Sequence, residues 1–302
     1  MKFLSCIGRV KQIAGSKGAL TSRTIILGFL FTPIFLGSSI YGLRWCEYAL
    51  TFQPERTRPG QVWQGPNGAE DVSFLNRDNQ RLYGWLVPAR RQPAFATVIF
   101  FHGQAGNISN TAFIGQSLAA LGFDVLLFDY RGYGRSEGEI ATEKDMYADA
   151  DAAFDYVVND RGVPSERVVL YGHSLGTAAA VDLASRRICA ALILESGLSS
   201  ADDMATVKLR WMPKWLHALG TNRFDSVAKL AGVVCPVLVA HGEHDNIVPT
   251  DQGRALFAAA NEPKKLIIVP GADHSIPSYA GASYINEVAK FVRESLRGRR
   301  PA

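Results

Sequence analysis

The fold is decided by the stretch Val168-Val169-Leu170-Tyr171-Gly172-His173-Ser174-Leu175-Gly176. Its β-branched, apolar start is typical of a buried strand, and the helix-forming run 177–180 follows the Gly-x-Ser-x-Gly motif at once. This order predicts a strand, a tight turn and a helix, with Ser174 strained on the turn. The two glycines are needed because a Cβ at 172 or 176 would collide with the neighbouring strand and helix. We therefore interpret Ser174 as the residue of a nucleophile elbow, at a helix N-terminus that stabilises developing negative charge.

Length and composition fit one large α/β domain. The chain has 302 residues, of which 47% are hydrophobic, enough for a core of a domain of roughly 250 residues. The formal net charge of +4 is modest and concentrates at the two ends of the chain, which excludes a basic face for nucleic acid. Cys6, Cys46, Cys189 and Cys235 are irregularly spaced and predict neither a disulfide framework nor a metal site.

The N-terminal region has the pattern of a membrane anchor. Residues 1–23 carry five cations and no acid, and residues 24–43 carry no charge over a length that suits a bilayer span. A cleaved signal peptide and an organellar transit segment are the competing interpretations. The positive-inside rule predicts a cytoplasmic N-terminus. The domain after the span is then extracytoplasmic, and periplasmic if the source is bacterial.

The rest of the chain predicts a linker followed by a parallel sheet. Residues 44–69 contain several Pro and Gly and are expected to form an irregular linker. The predicted domain covers residues 70–298 and opens with a hairpin of strands at 70–75 and 81–87. Apolar runs then predict strands at 97–101, 124–128, 168–171, 191–194, 237–240 and 266–269, with helices at 113–121, 143–158 and about 252–260. Strands this apolar belong to a mostly parallel sheet with helices on both faces.

Loops at the carboxyl ends of parallel strands gather at one edge, where an active site is expected. The first such loop, residues 102–107, contains two Gly that let the backbone present an N–H toward Ser174. We assign the backbone N–H groups of Gln104 and Leu175 to an oxyanion hole. His102 precedes the predicted donor, and we expect it to stabilise the turn.

The second loop, residues 129–138, holds three Gly and several charged groups. We expect Asp129 and Arg131 to hold this loop through ion pairs and hydrogen bonds. Substrate contact by Arg131 or Arg135 is the less favoured alternative.

Two later loops supply an acid and a base. Residues 241–249 close a buried strand and contain Asp245, which would orient an imidazole. Residues 270–275 follow the last strand and contain His274, the histidine best placed between Ser174 and Asp245. Glu243 and Asp273 remain open as alternatives for the acid. The order Ser, Asp, His is that of the α/β-hydrolases.

The chain therefore resembles the α/β-hydrolase superfamily from about residue 70 to 295. More narrowly, it is similar to a membrane-anchored subfamily that includes eukaryotic protein depalmitoylases and related bacterial serine hydrolases. The likeness rests on the motifs 101–107, 129–134 and 172–176 and on Phe52-Gln53-Pro54 after the predicted anchor. The subfamily usually has Asn at the position of Gln104. Because the predicted oxyanion-hole donor is the backbone N–H, this difference does not remove it. The resemblance implies hydrolysis without a cofactor or metal.

Residues 198–224 leave the strand–helix alternation and contain Trp211, Met212 and Trp215. We interpret this segment as a short lid whose apolar residues contact an acyl chain. A simple crossover helix with buried aromatic side chains is the alternative.

These observations predict a membrane-anchored serine hydrolase. It would cleave carboxylic esters or thioesters, including lipid-like ones, through an acyl intermediate on Ser174. A serine peptidase of the prolyl-oligopeptidase type shares the same residue order and is the alternative enzyme. A non-catalytic binding protein on the same fold is the alternative outside enzymes.

Overall fold

The computed structural model describes residues 42, 44–58, 60, 63–217 and 220–298. The chain divides into two compact units, Met1–Cys46 and Glu47–Ala302, and the elements below belong to the second, except for residues 44–46 of the first helix. Apart from residue 42, the predicted span at 24–43 lies outside the described residues. Within the described part of the chain, no helix combines the length and the hydropathy that crossing a membrane requires.

Ten strands lie within the described residues. A two-stranded parallel sheet pairs β1 (Gln53–Pro54) with β5 (Ala105–Gly106). The main sheet contains β2 (Glu70–Leu75), β3 (Arg81–Val87), β4 (Thr97–Phe101), β6 (Asp124–Phe128), β7 (Val168–His173), β8 (Ala191–Glu195), β9 (Val237–Gly242) and β10 (Lys264–Val269). Its strand order is β10-β9-β8-β7-β4-β6-β3-β2. All its pairings are parallel except β2 with β3 and β3 with β6.

Helices cover both faces of this sheet. Residues 44–51 form α1. The others are α2 (Ala112–Ala120), α3 (Glu143–Asp155), α4 (Gly176–Ala184), α5 (Ala201–Lys208), α6 (Lys214–His217), α7 (Ser226–Leu230), α8 (Thr250–Ala259) and α9 (Ile276–Arg297). Alternate residues of β4 show the two layers, because Ile99 and Phe101 pack in one apolar cluster while Val98 and Phe100 pack in the other. The predicted mostly parallel α/β architecture is confirmed.

Part of the expected linker packs within the second unit. Phe52 is 2% exposed, and its ring lies edge-on to Phe224 with the centroids 6.3 Å apart. The next residues form β1, where Gln53 pairs with Ala105. The composition of residues 44–69 does not predict this strand, because the partner of β1 lies some fifty residues further along the chain.

Candidate active site

Ser174 lies on the turn between β7 and α4 in the left-handed region, with φ of 52°. A Cβ at Gly172 would lie 2.5 Å from the Thr177 Cα, and one at Gly176 would overlap the Phe101 carbonyl oxygen. Only glycine fits such close backbone approaches. The turn therefore has the geometry predicted for a nucleophile elbow, and Ser174 is 8% exposed on it.

The structure brings together Ser174, His274 and Asp245, from three different loops. The His274 Nε2 lies 2.9 Å from the Ser174 Oγ, and the His274 Nδ1 lies 2.7 Å from the Asp245 Oδ2. With its Nδ1 proton directed at Asp245, the imidazole presents an unprotonated Nε2 to the serine hydroxyl. This tautomer can accept the Ser174 proton.

The Asp245 carboxylate contacts two backbone N–H groups and a second histidine besides His274. Its Oδ1 accepts the backbone N–H groups of Ile247 and Val248 at 2.9 and 2.8 Å, and the His241 Nε2 lies 3.2 Å from Oδ2. Burial alone would raise the pKa of Asp245, but hydrogen bonds from His241, His274 and Val248 outweigh it and lower the pKa below its usual range. Asp245 is therefore a carboxylate at neutral pH.

The two alternative acids make other contacts. Asp273 accepts the Ser275 N–H at 3.1 Å, and Glu243 accepts the Gly271 N–H at 3.0 Å. Both contacts brace the loop that carries His274. Among the described residues, Asp245 is the carboxylate that hydrogen-bonds to the His274 ring.

The backbone N–H groups of Gln104 and Leu175 are available to a ligand. Among the residues that the structure describes, neither group donates a hydrogen bond. The Gln104 carbonyl oxygen is fixed by the Gln53 N–H at 2.9 Å and the Tyr133 hydroxyl at 2.7 Å. Leu175 stands directly before the first residue of α4, where a helix N-terminus leaves backbone donors unpaired. These features suit the predicted oxyanion hole.

His102 and Asp129 form a buried pair beneath this loop. The His102 Nδ1 donates to the Gly103 carbonyl at 2.8 Å, so its Nε2 faces the Asp129 Oδ1, 3.6 Å away, as an acceptor. Burial raises the pKa of Asp129 to about 8, because its effect exceeds that of the hydrogen bond from the Ile108 N–H, which lowers the pKa. Burial also lowers the pKa of His102 to about 4. At neutral pH the pair is therefore an uncharged imidazole facing a protonated carboxyl group.

Arg131 is buried and holds the 129–138 loop against α3. Its Nη2 lies 2.8 Å from the Asp149 Oδ1, and its Nη1 lies 2.8 Å from the Asp78 Oδ2. The predicted ion pairing of Arg131 is thus present, whereas Asp129 holds the loop by accepting the Ile108 N–H at 2.9 Å.

The sequence analysis did not identify Glu195 and Ser196, at the end of β8, as residues that contact the candidate active site. The Glu195 carbonyl accepts the Ser174 N–H at 2.9 Å, and the Ser196 hydroxyl donates to the His274 carbonyl at 2.9 Å. The buried Glu195 carboxylate also lies 3.0 Å from the His173 Nδ1 and accepts the Tyr171 hydroxyl. The one available signal was a Glu at the end of an apolar strand that neighbours β7.

The predicted lid residues are mostly exposed side chains of the insertion. Trp211 is 78% exposed and Trp215 is 68% exposed, while Met212 is half-buried. The insertion reaches the acid loop through Lys208, whose Nζ donates to the Asn246 carbonyl at 3.0 Å. An acyl-binding role for the three predicted residues stays a prediction.

The described residues contain no cluster of His, Cys, Asp or Glu suited to a metal ion. The model of a family described as serine aminopeptidase, S33, matches residues 92–226 of the chain. That match includes Ser174 and ends before Asp245 and His274.

Relatives in bacteria and a nematode share most of the domain. The chain is 37% identical to a Mycobacterium tuberculosis protein over 226 residues, which cover 74% of this chain and 79% of that protein. It is 32% identical over 244 residues to YfhR of Escherichia coli, covering 76% and 83%. It is 35% identical over 197 residues to the α/β hydrolase domain-containing protein aho-3 of Caenorhabditis elegans, covering 65% and 57%.

Solved structures give the same fold. An esterase of Pyrococcus furiosus superposes with a TM-score of 0.67 at 20% identity, covering 81% of this chain and 99% of the esterase. The α/β hydrolase GrgF of Penicillium superposes with a TM-score of 0.62 at 20% identity, covering 76% and 99%. The chain belongs to the α/β-hydrolase superfamily.

Proposed function

We propose that this protein is a serine hydrolase that cleaves carboxylic esters or thioesters through an acyl intermediate on Ser174. The observation that carries the proposal is the hydrogen-bonded chain from the Ser174 Oγ through His274 to Asp245. A serine hydroxyl becomes a competent nucleophile when an oriented base accepts its proton, and this arrangement supplies one.

The reaction follows from the roles of these groups. The Ser174 Oγ attacks the acyl carbon while its proton passes to the His274 Nε2, and the N–H groups of Gln104 and Leu175 stabilise the oxyanion. The imidazolium, stabilised by Asp245, returns that proton to the departing alcohol or thiol. Water, deprotonated by His274, then releases the carboxylic acid and regenerates the serine.

The same proposal includes the membrane. Residues 24–43 span the bilayer with the N-terminus in the cytoplasm, and the hydrolase domain is extracytoplasmic. The support is the uncharged run after five cations. The enzyme would then meet lipid-like acyl substrates outside the cytoplasm.

A peptidase is the second candidate, favoured by the description of the matching family model. A peptidase that releases N-terminal residues needs an anionic group for the substrate amine. The carboxylate of Asp245 is already occupied by His274 and backbone N–H groups. We therefore rank ester and thioester hydrolysis first.

The test uses the full chain in detergent. Wild-type protein should react with a fluorophosphonate probe and hydrolyse p-nitrophenyl esters or acyl thioesters of graded length faster than aminoacyl p-nitroanilides. Ser174→Ala should lower kcat by about 10⁴-fold or more, because the nucleophile is lost. A faster anilide reaction would favour the peptidase. Activity above a tenth of wild type in Ser174→Ala would exclude Ser174 as the nucleophile.

A further inference from the structure

A polar cavity whose lining does not include Ser174 lies between the segment after β1 and the 129–138 loop. Its volume is about 450 Å³, within the range of small-molecule sites. Gly134 contributes backbone to its wall. The side chains that line it are those of Arg56, Thr57, Arg58, Trp63, Tyr83 and Arg135.

The wall of this cavity carries hydrogen-bond donors and positive charge. Three guanidinium groups line it, and among the described lining residues there is no acidic side chain. Asp71 lies outside the wall, where the Arg135 Nη1 donates to its Oδ2 at 2.9 Å, and it balances the charge of Arg135. A guanidinium group has five N–H donors and no acceptor, and matches the paired oxygens of a phosphate group.

Two residues that line the cavity carry a polar side-chain atom without a partner among the described residues. The Thr57 Oγ1 and the Trp63 Nε1 are buried, and among the described residues neither makes a hydrogen bond. An unpaired buried donor costs about 1–3 kcal/mol, and a ligand oxygen would remove that cost once a small side-chain movement opens the donor to the cavity. The indole N–H can only donate, so a ligand group that meets it must be an acceptor.

Hydrogen bonds and a ring contact within the protein fix the wall of the cavity. The Thr57 N–H donates to the Gly134 carbonyl at 2.9 Å, and the Gly134 N–H donates to the Glu55 carbonyl at 3.0 Å. Arg135 lies over the Tyr83 ring, 4.5 Å from its centroid, and the Arg56 Nη2 donates to the Gly138 carbonyl at 2.5 Å. A preformed site loses less entropy on binding.

From these observations we infer that the cavity binds a phosphate group, either on a phospholipid headgroup or as a free phosphate. Charge-assisted hydrogen bonds from Arg56 and Arg135 supply the attraction, and Thr57 and Trp63 supply neutral donors. The segment that forms the wall closely follows the predicted span in the chain, which makes a lipid headgroup the nearer source. The inference does not depend on hydrolase activity.

The test measures binding calorimetrically with the full-length Ser174→Ala chain in non-ionic detergent, so that the ester bonds of the lipid probe are not hydrolysed during the titration. The two probes are inorganic phosphate and monomeric dihexanoyl phosphatidic acid, alone and in competition. We expect saturable binding that Arg56→Gln and Arg135→Gln each weaken by about tenfold or more, since each removes a charge-assisted contact. Arg77→Gln removes an arginine with a 66% exposed side chain outside the cavity and should leave affinity unchanged.

Thr57→Val keeps every charge and the side-chain shape, so it tests the site in a protein that should fold. We expect weaker binding, because a buried hydroxyl donor is lost. Tighter binding of the lipid than of phosphate assigns the site to a headgroup, and the reverse assigns it to a free phosphate. The inference is overturned if neither probe binds, or if binding is unchanged in both Arg56→Gln and Arg135→Gln with wild-type melting temperatures.

Discussion

Asp245 differs from the two neighbouring acids in what its oxygens contact. One oxygen is fixed by two backbone N–H groups, and the other faces the Nδ1 of His274. We expect Asp245→Asn to lower kcat by about 10⁴-fold, because an amide would favour the wrong imidazole tautomer. Asp273→Asn is the matched control and should cost less than about tenfold, since the Asp273 carboxylate accepts a backbone N–H within its own loop. Steady-state kinetics on one ester decide the ranking, and the reverse order would assign the acid to Asp273.

The His102–Asp129 pair predicts a pH dependence of stability. In the unfolded chain the pKa of Asp129 returns to 3.8, whereas burial holds it at about 8 in the fold. Between these values the unfolded state binds fewer protons, so this group lowers the free energy of unfolding as pH rises. The pKa of His102 is about 4 in the fold and 6.5 in the unfolded chain, so His102 raises the free energy of unfolding as pH rises between these two values. Above pH 6.5 that contribution is constant, and the window from pH 6.5 to 8 reports on Asp129.

In that window wild-type protein should lose about 2 kcal/mol more stability than Asp129→Asn, at 1.36 kcal/mol per pH unit. Asn mimics the protonated acid and cannot ionise. Urea unfolding at pH 6.5 and pH 8 measures the difference between the two proteins, and groups common to both cancel. Equal pH slopes would mean that Asp129 is already ionised at pH 6.5.

At the scale of elements, the 129–138 loop is fixed to α3 by a buried ion pair. Arg131 is 4% exposed and Asp149 is fully buried. Arg131→Met should therefore lower the free energy of unfolding by about 3–5 kcal/mol, because a buried carboxylate is left without a cation. Arg161→Met removes an ion pair with Glu70 whose partners are 38% and 54% exposed, and should cost less than about 1 kcal/mol. Urea unfolding measures the free energy of unfolding of both variants and of the wild-type protein. Similar losses in Arg131→Met and Arg161→Met would show that Asp149 is not stabilised by Arg131.

Elements whose signal is local could be predicted from the sequence. The hairpin at 70–87 and the elbow at Ser174 depend on neighbouring residues, and both have the bounds or geometry expected. The pairing of Gln53 with Ala105 and the contact of His241 with Asp245 were missed. Gln53 depends on a partner distant in the chain. His241 needs the particular turn that brings its ring back to a carboxylate four residues later.

The cysteines illustrate the same limit. Cys189 and Cys235, whose spacing in the sequence predicts no pairing, are both buried. Each stands two residues before a strand, and β8 pairs with β9 in parallel with Leu192 opposite Val237. Their sulfur atoms therefore approach to 3.1 Å. Strand order, which the sequence does not specify, is what makes them neighbours.

At the scale of the whole molecule, the topology decides which substrates the enzyme meets. Five cations without an acid before residues 24–43 favour a cytoplasmic N-terminus, although Arg44, Arg56 and Arg58 on the other side reduce the asymmetry. Alkaline phosphatase fused after Ala302 should be active, and β-galactosidase fused there should be inactive. Carbonate extraction should leave the full chain in the membrane fraction. The opposite fusion pattern would place Ser174 in the cytoplasm.

The buried thiols give an independent measure of the same topology. An extracytoplasmic compartment is oxidising, and thiols that lie 3.1 Å apart need a movement of only about 1 Å to form a disulfide. Each thiol would lose a proton and an electron to a disulfide oxidant of that compartment. Protein taken from the membrane under acid quench and denatured should then resist alkylation at Cys189 and Cys235 until it is reduced, whereas exposed Cys46 serves as the internal control. Full alkylation at both positions before reduction would agree with a cytoplasmic domain and contradict the proposed orientation.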